Sequence, residues 1–200
     1  TPFPGSICAS VNDVVVHGIP NDVPLKEGDI VSVDCGTFLD GFCGDSCYTF
    51  CVGEVDEAIK KLLQVTKESL YKGIEQAVHG KRIGDIGSAV QTHCEQNGYG
   101  VVREFVGHGI GRDMHESPEV PNYGRKGNGL QLRQGMCIAI EPMITLGKRQ
   151  IFMERDGWTV RTRDRKCAAH FEHTVAVGKN GADILSSFEY VEEVLRKKGY

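Results

Sequence analysis

The chain has 200 residues, of which 40% are hydrophobic, and its 23 lysines and arginines against 27 aspartates and glutamates give a formal net charge of −4 at pH 7. This length and composition predict a single globular domain over residues 1–200 with a sizeable core. The acidic balance argues against nucleic acid as a partner. The lack of a long apolar run or a basic-then-apolar leader argues against a membrane span or a secretory signal in these residues.

The first predicted element is a β-hairpin that carries two acids. A β-rich run, "IVSVD", ends in Asp34, and Asp40-Gly41 then fits a two-residue hairpin turn. This turn would place Asp45 opposite Gly36, so that Asp34 and Asp45 become diagonal neighbours about 7 to 8 Å apart on one face. At that spacing both carboxylates could bind one cation. The alternative is that both acids lie at a solvated end of the sheet.

Helices are predicted after this hairpin and at the end of the chain. Residues 54–80 carry apolar side chains on a 3.6-residue period and predict a long amphipathic helix that ends at Gly80. A second helix is predicted over residues 83–97, with Gly98 as its C-terminal stop. A short helix is predicted over residues 187–198.

A glycine-rich loop with two histidines follows the second helix. The stretch "GHGIGRDMHESPEV" at residues 107–120 contains His108 and His115 between glycines and a proline, where neither a helix nor a strand can be regular. Glycine lets a ligand approach the backbone closely, so this pattern favours histidines that are presented to a ligand. The alternative is a surface loop with ordinary histidines.

An internal repeat divides the chain into two halves. Residues 132–141, "LRQGMCIAIE", match residues 25–34, "LKEGDIVSVD", as leucine, base, glutamate or glutamine, glycine and a β-rich run that ends in an acid. Each copy is followed by a second strand-like run with another acid, Asp45 in the first half and Glu172 in the second. We therefore expect two strand pairs related by a pseudo-two-fold axis, which would bring the acids together.

Four acids thus stand in or at the ends of apolar strand runs: Asp34, Asp45, Glu141 and Glu172. Burying an unpaired carboxylate costs several kcal/mol or shifts its pKa, so each acid needs a partner. The arginines of "RDGWTVRTRDRK" could pair with them, but a pair of divalent cations is the economical common partner. With His108, the donors suit Mn, Fe or Co and also admit Zn, and two such ions about 3.5 to 4 Å apart activate water for hydrolysis.

Eight cysteines allow a second interpretation, a disulfide framework or a cysteine-based zinc site. They stand at positions 8, 35, 43, 47, 51, 94, 137 and 167. No C-x-x-C pair occurs, and most lie in apolar runs such as "YTFCVG". Buried, reduced thiols of a cytoplasmic protein are therefore the expected state.

Five motifs follow one another in the order "SICASVNDVVVHGIP", "VDCGTFLDGFCGD", "GHGIGRDMHESPEVPNYG", "IAIEPM" and "HFEHTVAV". In this order the sequence closely resembles the type I methionine aminopeptidases, metal-dependent enzymes of the pita-bread fold, over nearly the whole chain. The resemblance implies an α+β fold with duplicated halves about a pseudo-two-fold axis and antiparallel sheets flanked by helices. It implies that N-terminal methionine is removed from nascent or short polypeptides by a cytoplasmic monomer with a transient ribosome contact.

The resemblance also implies the roles of individual residues. The ligands of two divalent ions (Co, Mn, Fe or Zn) would be Asp34, Asp45, His108, Glu141 and Glu172, with Asp45 and Glu172 bridging. Glu141 would also shuttle a proton to the leaving amine, and His17 and His115 would contact the substrate and stabilise developing charge. The pocket for the methionine side chain would be lined by Cys8, Met114 and Trp158.

The chain departs from the family at two points. Family members usually carry some tens of residues before the point that matches Thr1, so residues 1–200 are expected to be one catalytic domain without that N-terminal segment. His170 stands where the family usually has an amide. Because His170 and Glu172 share one face of an alternating strand, we expect the imidazole to hydrogen-bond a metal-binding carboxylate and orient Glu172. The alternative is a histidine at the rim of the site.

Competing functions come from the same fold and from other classes. Xaa-Pro aminopeptidases and prolidases resemble the chain in their metal ligands, although "EPM" and "MHESP" favour the methionine-specific branch. A non-catalytic pita-bread module that binds a protein or a ribosome is the second alternative. The cysteine-based zinc module is the third.

Overall fold

The computed structural model describes residues 2–199 as a mixture of short strands and three helices. The strands are β1 Cys8–Val11, β2 Val14–Val16, β3 Ile30–Leu39, β4 Phe42–Cys51, β5 Gly100–Val101, β6 Gly107–Gly109, β7 Glu116–Val120, β8 Cys137–Ile140, β9 Met143–Thr145, β10 Ile151–Met153, β11 Val160–Thr162, β12 Ala168–His170, β13 Glu172–Ala176 and β14 Asp183–Ile184. The helices are α1 Glu57–Ile74, α2 Ile83–Gln96 and α3 Glu189–Lys197. Within the described part of the chain, no helix has the length and apolar character needed to cross a bilayer.

The largest sheet joins the two halves that the repeat predicts. Its strand order is β1-β3-β4-β13-β8-β6-β7, with β14 also paired to β13, and the pairs are antiparallel. The first half supplies the pair β3–β4 and the second supplies β13–β8, and β4 lies beside β13. Matching backbone bonds open both pairs, from Gly28 N–H to Val52 O and from Gly135 N–H to Val177 O, each at 2.9 Å. The duplicated α+β architecture is therefore confirmed.

The predicted hairpin turn has the predicted register. Leu39 lies opposite Phe42, and Gly36 lies opposite Asp45. Asp40 and the glycine after it both have positive φ, at 50° and 84°. Two consecutive positive φ angles are typical of a type I′ turn, whose twist matches that of the flanking strands.

The first helix ends earlier than its sequence pattern predicts. It ends at Ile74, not at Gly80, because the N–H groups of Gln76 and Ala77 bond carbonyls only three residues back. Val78 then forms a parallel bridge with Gly178. Ala77 is nevertheless fully buried, so the apolar period continues beyond the helix. The other two helices lie within or match their predicted ranges, and Gly98 follows α2 with a φ of 82°.

The main core lies between helices α1 and α2 and one face of the sheet. Its fully buried members include Leu62, Leu70, Ile86, Val90, Ile138 and Ile140. Because side chains alternate across a strand, the residues between the core positions of β8 point to the opposite face of the sheet. That opposite face carries the acids.

The eight cysteines are all free thiols. Cys47 and Cys94 are buried as expected, whereas the other six are only half-buried. The prediction of buried thiols is therefore wrong for those six. Several of them, such as Cys8, Cys51 and Cys137, stand at the first or last position of a strand, where the sheet covers a side chain on fewer sides.

Helix α2 approaches the following segment closely at Gly87. A Cβ atom built there would lie 2.6 Å from the carbonyl oxygen of Pro121 and 2.7 Å from the carbonyl carbon of Tyr123. Backbone atoms cannot swing away as the end of a side chain can. The contact between α2 and this segment therefore requires glycine.

We expect Gly87→Ala to destabilise the protein by about 1 to 3 kcal/mol, because an added methyl group would overpack this contact. The direction of the change in unfolding free energy distinguishes overpacking from helix propensity, since glycine to alanine inside an exposed helix stabilises by about 1 kcal/mol. Urea unfolding monitored by circular dichroism measures the difference. Ser88→Ala, on the next, half-exposed position of α2, is the control and should be neutral or slightly stabilising. A stabilised Gly87→Ala variant would contradict the packing described.

Candidate metal centre and active site

Three acids from the two halves and two cysteines form one row across five neighbouring strands. Cys8 of β1 lies opposite Asp34 of β3, which lies opposite Cys47 of β4, which in turn lies opposite Glu172 of β13. The register of β13 with β8 continues this row to Glu141, the residue directly after β8. Directly opposed residues in a sheet project from the same face. The junction of β4 and β13 thus brings the acids of the two halves together.

Asp45 and His108 complete the cluster from the next row. His108 Nε2 lies 3.9 Å from Asp45 Oδ2 and 3.6 Å from Glu141 Oε1, and these three side chains are each only 11% or 12% exposed. One potential ligand atom from each of Asp45, His108 and Glu172 falls within 4.8 Å of the others. Among the described residues, this group of possible metal donors contains no cysteine. The structure therefore brings Asp45, His108, Glu141 and Glu172 close together.

The glycines around His108 are explained by the strands on either side. Strand β6 runs between β8 and β7, and a Cβ at Gly107 would collide with the carbonyl of Ala139. A Cβ at Gly109 would collide with the carbonyl of Ser117. His108 Nδ1–H donates to the Gly109 carbonyl at 2.9 Å, which leaves the Nε2 lone pair facing the acids. His108 therefore lies in a strand, β6, and Glu116–Val120 form another, β7, which contradicts the expectation that this stretch is too irregular for a strand. The imidazole of His108 faces the acids.

Burial makes the charged form of the acids in this cluster costly unless a positive charge lies beside them. Burial is the largest cause of the rise in the pKa of Asp34 to about 7. The nearby His170 imidazole lowers this pKa, and the charges of Asp45 and Glu141 raise it further. Burial and the same neighbouring carboxylates raise the pKa of Glu172 well above its usual range. Glu172 Oε1 is buried without a hydrogen-bond partner. Carboxylates and an imidazole in this state fit a divalent metal ion.

Arginine does not supply that positive charge. Arg161 pairs with Asp13 at 2.6 Å and with Glu154 at 2.9 Å, and Arg165 also pairs with Asp13, at 3.1 Å. The arginines of "RDGWTVRTRDRK" that form ion pairs therefore bind acids outside the cluster. In the part of the chain that the structure describes, none of the four acids forms a salt bridge with an arginine.

His17 stands beside an aromatic wall. Its ring centroid lies 5.5 Å from that of Phe105 and 6.1 Å from that of Trp158, and Phe3 packs edge-on against Trp158 at 5.4 Å. Its φ of 57° is unusual for a residue with a side chain, and the next residue is a glycine packed against β1. Burial, then the neighbouring imidazoles of His170 and His115, lower the pKa of His17, which favours a neutral ring.

The loop after His108 connects the cluster to this wall. The His115 ring lies 4.4 Å from the His108 ring. Met114 lies over Gly36, where a Cβ would come within 2.6 Å of the Met114 Cε atom. On the far side of the row, burial followed by the charges of Asp34 and Asp45 raises the pKa of the Cys8 thiol to about 12. Cys8, Met114 and His115 thus border the acid cluster, whereas Trp158 packs beside His17.

His170 points into the cluster, although the carboxylate beside it is that of Glu141 and not that of Glu172. The chain passes from β12 to β13 at the buried Phe171, and His170 is only 2% exposed. Its Nε2 lies 3.6 Å from Glu141 Oε2, and this nitrogen has no hydrogen-bond partner. Thr49 Oγ1 accepts the His170 N–H at 3.1 Å and donates to its carbonyl at 2.6 Å. The imidazole therefore faces Glu141, and Thr49 fixes the backbone that carries it.

Sequence reasoning missed three residues at this site. Phe3 and Phe105 belong to the aromatic wall, and Asn122 Nδ2 donates to the Glu141 carbonyl at 2.9 Å. Asn122 is fully buried, and a buried amide directly after a proline in "VPNYG" is a signal that could have drawn attention to it. The two phenylalanines carry no such signal, because ordinary core packing explains a phenylalanine equally well.

Known proteins match the chain over most of its length. Residues 1–179 match metallopeptidase family M24. The methionine aminopeptidase of Clostridium acetobutylicum is 53% identical over 188 residues, which cover 94% of this chain and 75% of that protein. Methionine aminopeptidase 1 of Bacillus subtilis is 51% identical over 184 residues, which cover 92% of this chain and 74% of that protein.

Solved structures agree with the sequence matches. The crystal structure of methionine aminopeptidase from Rickettsia prowazekii has a TM-score of 0.90 at 50% identity, covering 91% of this chain and 74% of that one. The prolidase from Pyrococcus horikoshii has a TM-score of 0.72 at 25% identity, covering 92% of this chain and 48% of that one. The family match runs through every strand that carries the acid cluster, and the fold is the expected pita-bread fold. The chain therefore belongs to metallopeptidase family M24, with the methionine aminopeptidases as its relatives of high identity.

Proposed function

We propose that this protein is a methionine aminopeptidase, which hydrolyses the first peptide bond of polypeptides that begin with methionine. The observation that carries the proposal is the buried Asp45, His108 and Glu172 group in a chain 53% identical to a methionine aminopeptidase. Short peptides and nascent chains are both substrates in this proposal, and nascent chains require only a transient contact with the ribosome. The prolidase alternative has weaker support, because the similar prolidase is only 25% identical to this chain in sequence.

Five side chains would hold two divalent ions, Co, Mn, Fe or Zn, and they are Asp34, Asp45, His108, Glu141 and Glu172. Asp45 and Glu172 would bridge the ions, which is supported by their positions on the two central strands, β4 and β13. Bound divalent ions supply a lowered pKa for water and positive charge that stabilises the transition state of hydrolysis. A non-catalytic module would have no need to bury these acids.

The chain's own residues supply the proton transfer and the substrate contacts. Glu141 takes a proton from the attacking water and delivers it to the leaving amine, and Asn122 holds the Glu141 backbone. His17 and His115 donate hydrogen bonds to the oxygen on which negative charge develops. A neutral His17, favoured by its lowered pKa, can donate without bringing a full charge into the pocket.

The aromatic wall selects the substrate's first side chain. Cys8 and Met114 border the cluster, and Phe3, Trp158 and Phe105 form the aromatic wall beside His17. Such a surface suits an unbranched, polarisable thioether, which gains dispersion and sulfur–aromatic contacts. A free N-terminal methionine would therefore place its first peptide bond beside the acids.

We expect metal-stripped protein to hydrolyse Met-Ala-Ser once Co²⁺ or Mn²⁺ is added, and to leave an Xaa-Pro peptide uncut. Glu172→Ala should bind one ion fewer and lose nearly all hydrolysis, because it removes a bridging carboxylate. Elemental analysis, peptide kinetics and circular dichroism measure these three properties. Glu57→Ala, at an acid that is 88% exposed, is the control and should behave as wild type. Full turnover by Glu172→Ala with two bound ions would disprove the assignment.

His115→Ala should keep the metal content and lower kcat, because His115 stabilises the transition state and is not a ligand. The expected loss is about 10² to 10³-fold, as is typical when one such donor is removed. Metal analysis and kinetics on the same preparations distinguish the roles, and His93→Ala on helix α2 is the control. A loss of bound metal would instead identify His115 as a ligand.

His170 orients Glu141 in this proposal, because its unpartnered Nε2 faces Glu141 Oε2. His170→Ala should therefore weaken metal binding by roughly 10 to 100-fold, as is usual for residues that orient a ligand. His170→Gln keeps a donor and should retain both affinity and activity. Metal titration into stripped protein measures the affinities. Equal affinities for wild type and His170→Ala would leave the imidazole without this role.

A further inference from the structure

One edge of strand β13 changes its partner at Thr174. On the N-terminal side of this residue, Glu172 and His173 pair with Cys47 and Ser46 of β4. On the C-terminal side, β13 pairs with β14 instead, through Val175 opposite Ile184 and Ala176 opposite Asp183. The two halves of the sheet therefore begin to separate at Thr174, directly beside the proposed bridging acids.

Two hydroxyl groups take the place of the backbone ladder at this point. Thr174 Oγ1 accepts the Asp45 N–H at 3.0 Å and donates to the Asp45 carbonyl at 2.8 Å. The Thr174 N–H in turn donates to Ser186 Oγ at 2.9 Å, and the Leu185 N–H donates to the Thr174 carbonyl at 2.9 Å. One side chain of the second half thus satisfies both backbone groups of Asp45 in the first half.

The segment that carries Ser186 is itself fixed to the sheet. Phe188 is buried, with its ring centroid 3.8 Å from that of His173 and 4.9 Å from that of Tyr48. Lys67 of helix α1 lies over the Phe188 ring and pairs with Glu192 of helix α3. Ser186 is therefore held between the Leu185 hydrogen bond to β13 and the buried Phe188, and its hydroxyl has a fixed position beside β13.

We propose that Thr174 and Ser186 are positioning residues that set the separation of Asp45 from Glu172. The inference rests on the proposed function, in which these two acids bridge the metal ions. Without the Thr174 hydroxyl, both backbone groups of Asp45 lose their partners, and an unsatisfied buried group is costly. The strands would move together or admit water to restore the bonds. Either change displaces a bridging carboxylate.

Thr174→Val removes the hydroxyl at nearly constant volume, and Thr174→Ser restores it. Ser186→Ala tests the second hydroxyl, and Ser187→Ala is its matched control, because Ser187 Oγ accepts only the exposed Glu189 N–H at 3.1 Å. Each variant is stripped of metal, titrated with Mn²⁺ by calorimetry well below its unfolding temperature, and unfolded by heat without metal. Activity on Met-Ala-Ser is measured in parallel.

Thr174→Val should bind Mn²⁺ roughly 10 to 100-fold more weakly than wild type, the range seen when residues that orient a ligand are lost. Ser186→Ala should bind more weakly by a smaller factor, and the Thr174→Ser and Ser187→Ala variants should match wild type. The same loss should appear in kcat, with KM for the peptide unchanged.

Wild-type affinity in Thr174→Val and Ser186→Ala, with only a lower unfolding temperature, would overturn the inference and make both hydroxyls structural. If Thr174→Val does not fold, the comparison of Ser186→Ala with Ser187→Ala decides the question alone. The proposed function fails separately, when wild type binds no Mn²⁺ or when Glu172→Ala binds it equally well. A wild-type protein that binds no ion would overturn this inference with it.

Discussion

The cost of burying negative charge on one face of the sheet is the constraint on which the rest of the structure depends. Two halves of the chain each bring acids to the junction of β4 and β13, and within residues 2–199 these acids form no ion pair with an arginine. The raised pKa values of Asp34 and Glu172 reflect the free-energy cost of burying these carboxylates in their charged form. Helices α1 and α2 pack on the opposite face of the sheet, and the apolar core between them and the sheet stabilises the strands that carry the acids.

The sequence predicts the hairpin and the duplicated halves well, because both depend on local rules. Asp40 and Gly41 fix a turn type, and a turn type fixes a register. The end of α1 could not be predicted in the same way, since Ala77 remains buried after the helix has stopped. The expectation that His170 and Glu172 share one alternating strand is wrong, because His170 ends β12 of a small sheet and Glu172 begins β13 of the large one. The carboxylate that His170 meets depends on how these sheets pack, which alternation along one strand cannot predict.

The cluster and the pocket come from different parts of the chain. The acids follow or lie within the duplicated strands, whereas Phe3, His17 and Trp158 lie outside the repeat, as does the loop that carries Met114 and His115. The repeated strands therefore supply the acids of the cluster, and the unrepeated segments supply His108 and the residues proposed to contact the substrate.

The row across the sheet also determines the reactivity of its thiols. Cys8 and Cys47 both lie directly opposite Asp34, and burial and the acids raise the pKa of each thiol. Oxidants and alkylating reagents attack the thiolate, which is scarce when the pKa is far above the pH of the solution. Burial first, and then the same acids that make the face a site for cations, therefore favour the less reactive thiol form of these two cysteines.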